Sequence, residues 1–486
     1  MTRYHRLADI IGDRIKQGLY NRGQRLPSVR ALSVEHGVSI STVQQAYRVL
    51  EHRQLITARP KSGYFVCQQH GLPALPEMCR PAQRPVEISQ WDLVLQLTRT
   101  RSARDVIHLG PGVPNVTANT LKPLRKLLSR VALHPDLRSL HYDELSGSAP
   151  LREQIARLMI DSGSHVAPED VIITIGCHEA LSIAIHALCQ PGDIVAVDSP
   201  SFHGVTQILK GFGMKALEIP TAPLTGVSLE ALELALEQWP IKAIQLTPNC
   251  NNPLGYLMPD AHKVALLTLA QRYDTPIIED DVYADLAYHY PRPRTIKSFD
   301  EDGRVLLCSS FSKTLAPGLR IGWIEPGRYM EQVLHMKYIG TGATSTQPQL
   351  AIAEFLRQGH YLKHVSRMRA RYQLNRDIMK EWVQRYFPAG TRISRPQGGF
   401  LLWVELPPAF DTLRLNRQLE SKGVQVAVGP IFSASGKYRH CLRLNYANRM
   451  TPAIEAAVKC IGETVAQQLE ACALLTPAAE AAQDGQ

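Results

Sequence analysis

Apolar positions at the start of the chain fall in two different rhythms. Leu7, Ile10, Ile11 and Ile15 recur at helical spacing and predict a first helix. Pro27 and Ser28 open a second helix, Val29 to about Glu35, with Ser28 placed to cap it. His36-Gly37-Val38 reads as a tight turn. Ser39 then caps a third helix that carries Val43, Ala46, Tyr47 and Leu50 on one face. The period changes to two at Ile56–Ala58 and again at Tyr64–Val66, two short strands. Between them Arg59-Pro60-Lys61-Ser62-Gly63 forms a basic tip. Helix, glycine turn and helix, followed by a hairpin, predict a helix-turn-helix with a β-wing over residues 1–68.

The pattern then breaks. Residues 69–90 carry Pro73, Pro76, Pro81 and Pro85 and no period, which reads as a proline-rich linker. Residues 91–468 alternate strand-like apolar runs with amphipathic helices, the order of an α/β fold. Residues 469–486 are small and polar and read as a flexible tail.

Charge sharpens the first segment. The chain is formally +10, and residues 1–70 carry 11 Lys/Arg against 4 Asp/Glu. Such a concentration suits a polyanion, although a solvated basic face gives the same count. Nine cysteines are scattered without paired metal-knuckle spacing, so free thiols in a reducing cytoplasm are expected and no metal site. No apolar run is long enough for a membrane span, and MTRYHRLADI lacks the apolar stretch of a signal peptide.

Five motifs in 91–468 carry chemistry. The first, Ser309-Ser310-Phe311-Ser312-Lys313-Thr314-Leu315-Ala316-Pro317-Gly318-Leu319-Arg320, follows the strand-like Val305-Leu306-Leu307. A lysine amine forms an imine with an aldehyde, and Arg320 and Ser310 offer donors to a phosphate. The second is Ile277-Ile278-Glu279-Asp280-Asp281-Val282-Tyr283. A carboxylate at a strand end can hold a pyridine nitrogen protonated. Asp280 has the spacing for that role, Asp281 competes with it, and Tyr283 can donate to a ring phenolate. In the third, Asn252 precedes Pro253 and offers its amide to the same oxygen. The fourth, Ile172–Leu181, is a strand, a glycine and a helix start; backbone N–H groups at Cys177 and His178 suit an anion. In the fifth, Asp198-Ser199-Pro200-Ser201-Phe202, the phenylalanine can stack on a flat ring.

LPSVRALS (26–33), GVSISTVQQAYRVLE (37–51) and ARPKSGYFV (58–66) resemble the N-terminal domain of GntR-type regulators. The resemblance implies a winged helix whose third helix enters the major groove of double-stranded DNA. Arg30 stands where the family places an arginine at the DNA. Ser39, Ser41 and Thr42 can reach phosphates or base edges, and Gln44 can pair with adenine. Lys61 and Gly63 would lie at the wing.

The five motifs together resemble fold-type I aminotransferases that use pyridoxal 5'-phosphate, over nearly all of 105–465. That likeness implies a large α/β domain with a smaller C-terminal α+β subdomain and Lys313 as the Schiff-base lysine. It assigns cofactor contacts to Asp280, Tyr283, Asn252, Phe202, Cys177, His178, Ser310 and Arg320. It implies that Tyr142 reaches the cofactor of a second subunit, that Arg443 clamps a substrate carboxylate, and that Gly112 opens a substrate-side loop. Arg392, Arg395 and Gly398-Gly399-Phe400 fall in the region that shapes such a pocket. The order winged helix, linker, aminotransferase-like domain resembles the MocR subfamily of GntR regulators. It implies a head-to-tail homodimer whose DNA binding responds to the cofactor and an amino-acid-type effector. A working aminotransferase with an accessory DNA-binding domain shares every site residue and is the alternative. A scaffold without cofactor is disfavoured because no expected ligand residue is missing.

Overall fold

The computed structural model describes residues 3–16, 19–20, 23–52, 55–59, 62–66, 73–79, 84–88, 91–99, 106–134, 138–408 and 410–480. The chain divides into two compact units, Met1–Pro73 and Ala74–Gln486.

The small unit packs α1 (Arg3–Lys16), α2 (Val29–Glu35) and α3 (Ile40–His52) against a hairpin of β1 (Ile56–Arg59) and β2 (Gly63–Val66). Leu7, Ala8, Ile11, Leu32, Val43, Ala46, Leu50, Ile56 and Val66 fill its core. Each such aliphatic side chain larger than alanine contributes about 1.5–3 kcal/mol by leaving water. Ile10 departs from the expected stripe and is 39% exposed. At 100° per residue the stripe centres on Leu7, Ala8 and Ile11, and Ile10 falls about a quarter turn away. Ser28 caps α2 by accepting from Ala31 N at 3.2 Å. A third strand-like segment joins the wing: Leu26 N donates to Tyr64 O, and Val66 N to Gln24 O.

The large unit is built on an eight-stranded sheet. Short β3 (Ile107–His108) lies outside it, paired in parallel with β14 (Val424–Gln425). The sheet strands are β4 (Ile172–Thr174), β5 (Ile194–Ser199), β6 (Lys215–Ala222), β7 (Gly226–Val227), β8 (Ile241–Leu246), β9 (Ile277–Asp280), β10 (Val305–Ser310) and β11 (Gly322–Glu325). Their order is β4-β11-β10-β9-β8-β5-β6-β7. The five strands from β10 to β6 are parallel, and β11 and β7 run against their neighbours. Parallel strands covered on both faces should be apolar throughout, and every residue of β5 and β10 is buried. A four-stranded antiparallel sheet, β12 (Arg392–Ile393), β13 (Leu401–Glu405), β16 (Cys441–Asn445) and β15 (Ala427–Val428), forms the C-terminal part.

Two expectations about the connecting segments change. Residues 74–79 and 84–88, read as linker, form a strap on the large unit. Val86 pairs with Ala216 in both directions, and Ile393 N donates to Ala74 O at 3.1 Å. Proline-rich extended backbone makes no internal hydrogen bonds, which leaves its polar groups for a neighbour. The last helix runs Pro452–Glu480, so 469–480 are helical; the Ala, Leu and Glu of this stretch are good helix formers. Residues 481–486 lie outside the described set. Among the described residues, no helix is long and apolar enough to cross a membrane.

Candidate functional site

Parallel strands deliver their C-terminal ends to one edge, and the chemistry-bearing residues sit just there. Asp280 ends β9, Ser310 ends β10, and Cys308 stands opposite Asp280 in the ladder. Asn252 follows β8, Lys313 follows β10, and Gly176 leads from β4 into the helix Cys177–Leu188. One cavity is lined by nine of the ten residues nominated for the cofactor, all but Tyr142: Lys313, Asp280, Tyr283, Asn252, Phe202, Cys177, His178, Ser310 and Arg320.

Asp280 is a buried member of the lining. Its Oδ1 accepts from Val282 N at 3.1 Å and from Cys177 Sγ at 3.4 Å. Burial pushes its carboxyl up to about 6. Asp281 is committed elsewhere: it pairs with Arg292, and its Oδ1 accepts from Asn249 at 3.2 Å. Tyr283 is buried, and its hydroxyl has no hydrogen-bond partner among the described residues. Lys313 Nζ donates to the Gly112 carbonyl at 2.8 Å. Buried Arg443 donates to Asn252 Oδ1 at 2.8 Å and to the Gly110 carbonyl at 2.6 Å. A Cβ on Gly112 would lie 3.4 Å from the Tyr283 hydroxyl and 3.7 Å from Arg443 Nη2. The residues 110–112 therefore run between the lysine, the tyrosine and the arginine.

Arg320 also lines the cavity. Arg320 has a left-handed backbone, φ 53°, sparsely populated by side-chain residues. Its guanidinium bonds Ser312 Oγ at 3.3 Å. Gly176, φ 109°, leaves room for it: a Cβ there would be 2.5 Å from Arg320 Nη2. The first N–H groups of the following helix have no partner within the helix, and its dipole favours an anion. Phe202 flanks the cavity, and a Cβ on Gly204 would lie 2.3 Å from its ring.

Some nominated residues lie outside the cavity. Tyr142 is 97% exposed and does not line it. Arg392 bonds Glu405 at 3.2 Å and pairs with Glu77 of the strap, so it does not shape this pocket. The Gly398–Phe400 turn does contribute: Phe400 packs edge-on to Tyr283 at 5.6 Å between ring centroids. Ser312, Val282 and Leu181 line the cavity and were not nominated. Ser312 was within reach of sequence reasoning, since it directly precedes Lys313.

On the small unit, Ser39 Oγ accepts from Thr42 N at 3.2 Å and contacts the Ser41 and Thr42 hydroxyls at 2.9 and 2.8 Å. Three hydroxyls thus cluster at the start of α3. Gln44 is exposed, as is Arg30 on α2. Gly63 opens β2 with φ 102°; a Cβ on it would stand 3.1 Å from Arg25 Nε. Arg25 was not nominated, yet its exposed side chain lies over the wing. Arg48, exposed one turn after Gln44, was also missed, though the four-residue spacing marks it. Lys61 lies outside the described residues.

Comparison with known proteins agrees with both halves. Residues 104–461 match the family model for aminotransferase class I and II, and residues 3–66 that for bacterial regulatory proteins of the gntR family. The Escherichia coli (strain K12) HTH-type transcriptional regulator YjiR, itself termed uncharacterized, is 57% identical over 97% of this chain and 100% of its own. YdcR from the same strain, termed likewise, is 34% identical over 96% and 100%. Among solved structures, the multiple substrate aminotransferase from Thermococcus profundus superposes with a TM-score of 0.71 at 28% identity, covering 78% of this chain and 95% of that one.

Proposed function

This chain belongs to the MocR subfamily, GntR-type regulators with an aminotransferase class I and II domain, and on that premise we propose that it binds pyridoxal 5'-phosphate and uses it to sense an amino-acid-type effector. One observation carries the reading: nine side chains from five separate segments line a single cavity, in a chain that opens with a winged helix.

The residues fit the cofactor. A buried tyrosine hydroxyl without a partner among the described residues, a buried carboxyl, an amine and a glycine-cleared arginine are what its phenolate, ring nitrogen, aldehyde and phosphate require. When bound, pyridoxal phosphate supplies an aldehyde that condenses with amines and a ring that accepts electron density. Asp280 holds a proton at the ring nitrogen. Tyr283 and Asn252 orient the ring through its oxygen, and Phe202 covers its face. Arg320, Ser310 and the backbone at Cys177 and His178 bind phosphate. Arg443 binds the carboxylate of an incoming amino acid, displacing its contacts with Asn252 and Gly110. Lys313 would hold the cofactor through its aldehyde, and its contact with the Gly112 carbonyl ties that amine to residues 110–112. A ligand that favours one arrangement of that loop shifts a population and through it DNA binding. Arg30, Ser39, Ser41, Thr42, Gln44, Lys61 and Gly63 form the DNA face. Tyr142, exposed in the single chain, serves the site of a second subunit in a head-to-tail homodimer.

Turnover is the second reading, favoured by the joint presence of Lys313, Asp280 and Arg443. The test uses full-length protein and added pyridoxal phosphate, followed by visible absorbance and by mobility shift on DNA selected from a random pool. A protein-bound band should appear, and Lys313→Ala should abolish it. Single amino acids should then move both the band and the DNA affinity. Protein that takes up no cofactor would refute the reading, and sustained conversion of a keto acid would favour the second.

A further inference from the structure

A second cavity, of about 300 Å³, lies between the strap and the large unit, lined by Cys79 and Glu77 on one side and by Glu405, His440, Trp403 and Tyr438 on the other. We propose that Cys79, Glu405, His440 and Cys441 form a binding site for a zinc-class divalent cation that clamps the strap to the large unit. The proposal does not rest on the cofactor reading.

Three of the donors are already gathered. One ligand atom each from Glu405, His440 and Cys441 lies within 4.8 Å of the others. Among the described residues this is the one such group that could hold a metal. Its geometry is set by backbone. Glu405 and Cys441 are direct partners across β13 and β16, so their side chains leave the same face of the sheet. His440 immediately precedes β16, and its carbonyl accepts from Leu406 N at 2.9 Å, which fixes it beside Glu405.

The strap carries the candidate for a fourth donor, Cys79, which stands outside the 4.8 Å within which the other three gather and would have to swing in to ligate. Glu77 N donates to Glu405 Oε2 at 2.9 Å, which seats the strap on the very carboxylate that would ligate. Cys79, two residues on, lines the cavity with Glu405 and His440 and packs against the apolar cluster that contains Cys441. Two sulfurs, an imidazole and a carboxylate are a donor set for zinc, and four donors satisfy its tetrahedral preference. An outer partner is present too: Arg392 donates to Glu405 Oε1 at 3.2 Å and also pairs with Glu77, so it orients the carboxylate and ties the strap to it. Sequence spacing could not reveal this site, because Cys79 lies hundreds of residues before the other three.

The experiment uses the full chain, purified without chelator under a non-thiol reductant and desalted. Elemental analysis should find one zinc per chain, and the double variant His440→Gln/Cys441→Ser should hold none. Glu405→Gln, a milder change, should weaken zinc in competition with a chromophoric chelator by about tenfold or more, with an unchanged thermal midpoint of the metal-free protein. Cys79→Ala should weaken zinc similarly, and zinc should slow protease cleavage within 69–90 in the parent but not in this variant. Absence of stoichiometric zinc, or zinc retained in full by the double variant, overturns the site. Unchanged affinity in Cys79→Ala overturns the clamp.

Discussion

The two units keep their polar groups in opposite places. Among its described residues, the small unit buries aliphatic side chains and Tyr47, whose hydroxyl donates to the Pro27 carbonyl at 2.6 Å. Ser39, Ser41, Gln44, Arg30 and Arg25 are all exposed. The large unit encloses Asp198, Lys263, Glu279, Asp280, Asp281, Arg292 and Arg443. The difference follows from what each must meet. A DNA duplex is larger than the domain that reads it, so donors must stand on an outer face. A small ligand has to be surrounded, so its polar partners are carried inward. Burying those groups costs several kcal/mol per ion unless partners are supplied, which explains networks such as Arg292 with Asp281 and Asp285.

The contrast can be broken most severely from within the small unit. Leu32→Ala should destabilise it by about 2–5 kcal/mol, because Leu32 is fully buried in a core of few residues. DNA binding should be lost while cofactor uptake persists; calorimetry should show only the small unit's transition moving. Next in size, Gly176→Ala should impose about 1–3 kcal/mol of backbone strain and push Arg320 from the cavity wall. Pyridoxal phosphate affinity should fall by about tenfold or more by absorbance titration, with the affinity of cofactor-free protein for DNA unchanged.

Gln44→Ala should cost about 1–3 kcal/mol of DNA affinity and relax preference at one base pair, read by binding selection, without altering cofactor uptake. A different kind of effect is a slope with pH. Burial pushes Asp198 up to about 7, although Asn251 donates to it at 2.7 Å. In the unfolded chain this carboxyl ionises near pH 4. The folded form therefore holds the extra proton, and stability is lost as pH rises from there through about 7. Thermal midpoints of the large unit should decline over that window, and Asp198→Asn should lessen the decline, the buried Glu279, Asp280 and Glu325 carboxyls, pushed up likewise, supplying the rest. The small unit, with no buried carboxylate among its described residues, should not share that contribution.

Reading the amino acids alone reached the small unit nearly element by element. Its helices declare themselves over a few turns, and the turn at Gly37 and the cap at Ser28 are local features. Ile10 went astray because four apolar residues at similar spacing do not say which of them centres the stripe. In the large unit the motifs were equally visible, each at a strand end beside a glycine, a proline or a cluster of hydroxyls.

Their meeting was a different matter. Residues 177, 202, 252, 280 and 313 come together because the strands they follow, β4, β5, β8, β9 and β10, belong to one sheet, a relation between segments far apart in the chain. The choice between Asp280 and Asp281 was of the same kind. Successive residues leave a strand on opposite sides, so one carboxylate meets the cavity and its neighbour meets Arg292. The strap shows the limit most plainly: prolines mark residues 69–90 as non-helical, but not what they lie against. Composition and period are carried by the chain itself, whereas the partner of an extended segment is selected by the surface that happens to satisfy its backbone, here Ala216, Ile393 and Glu405.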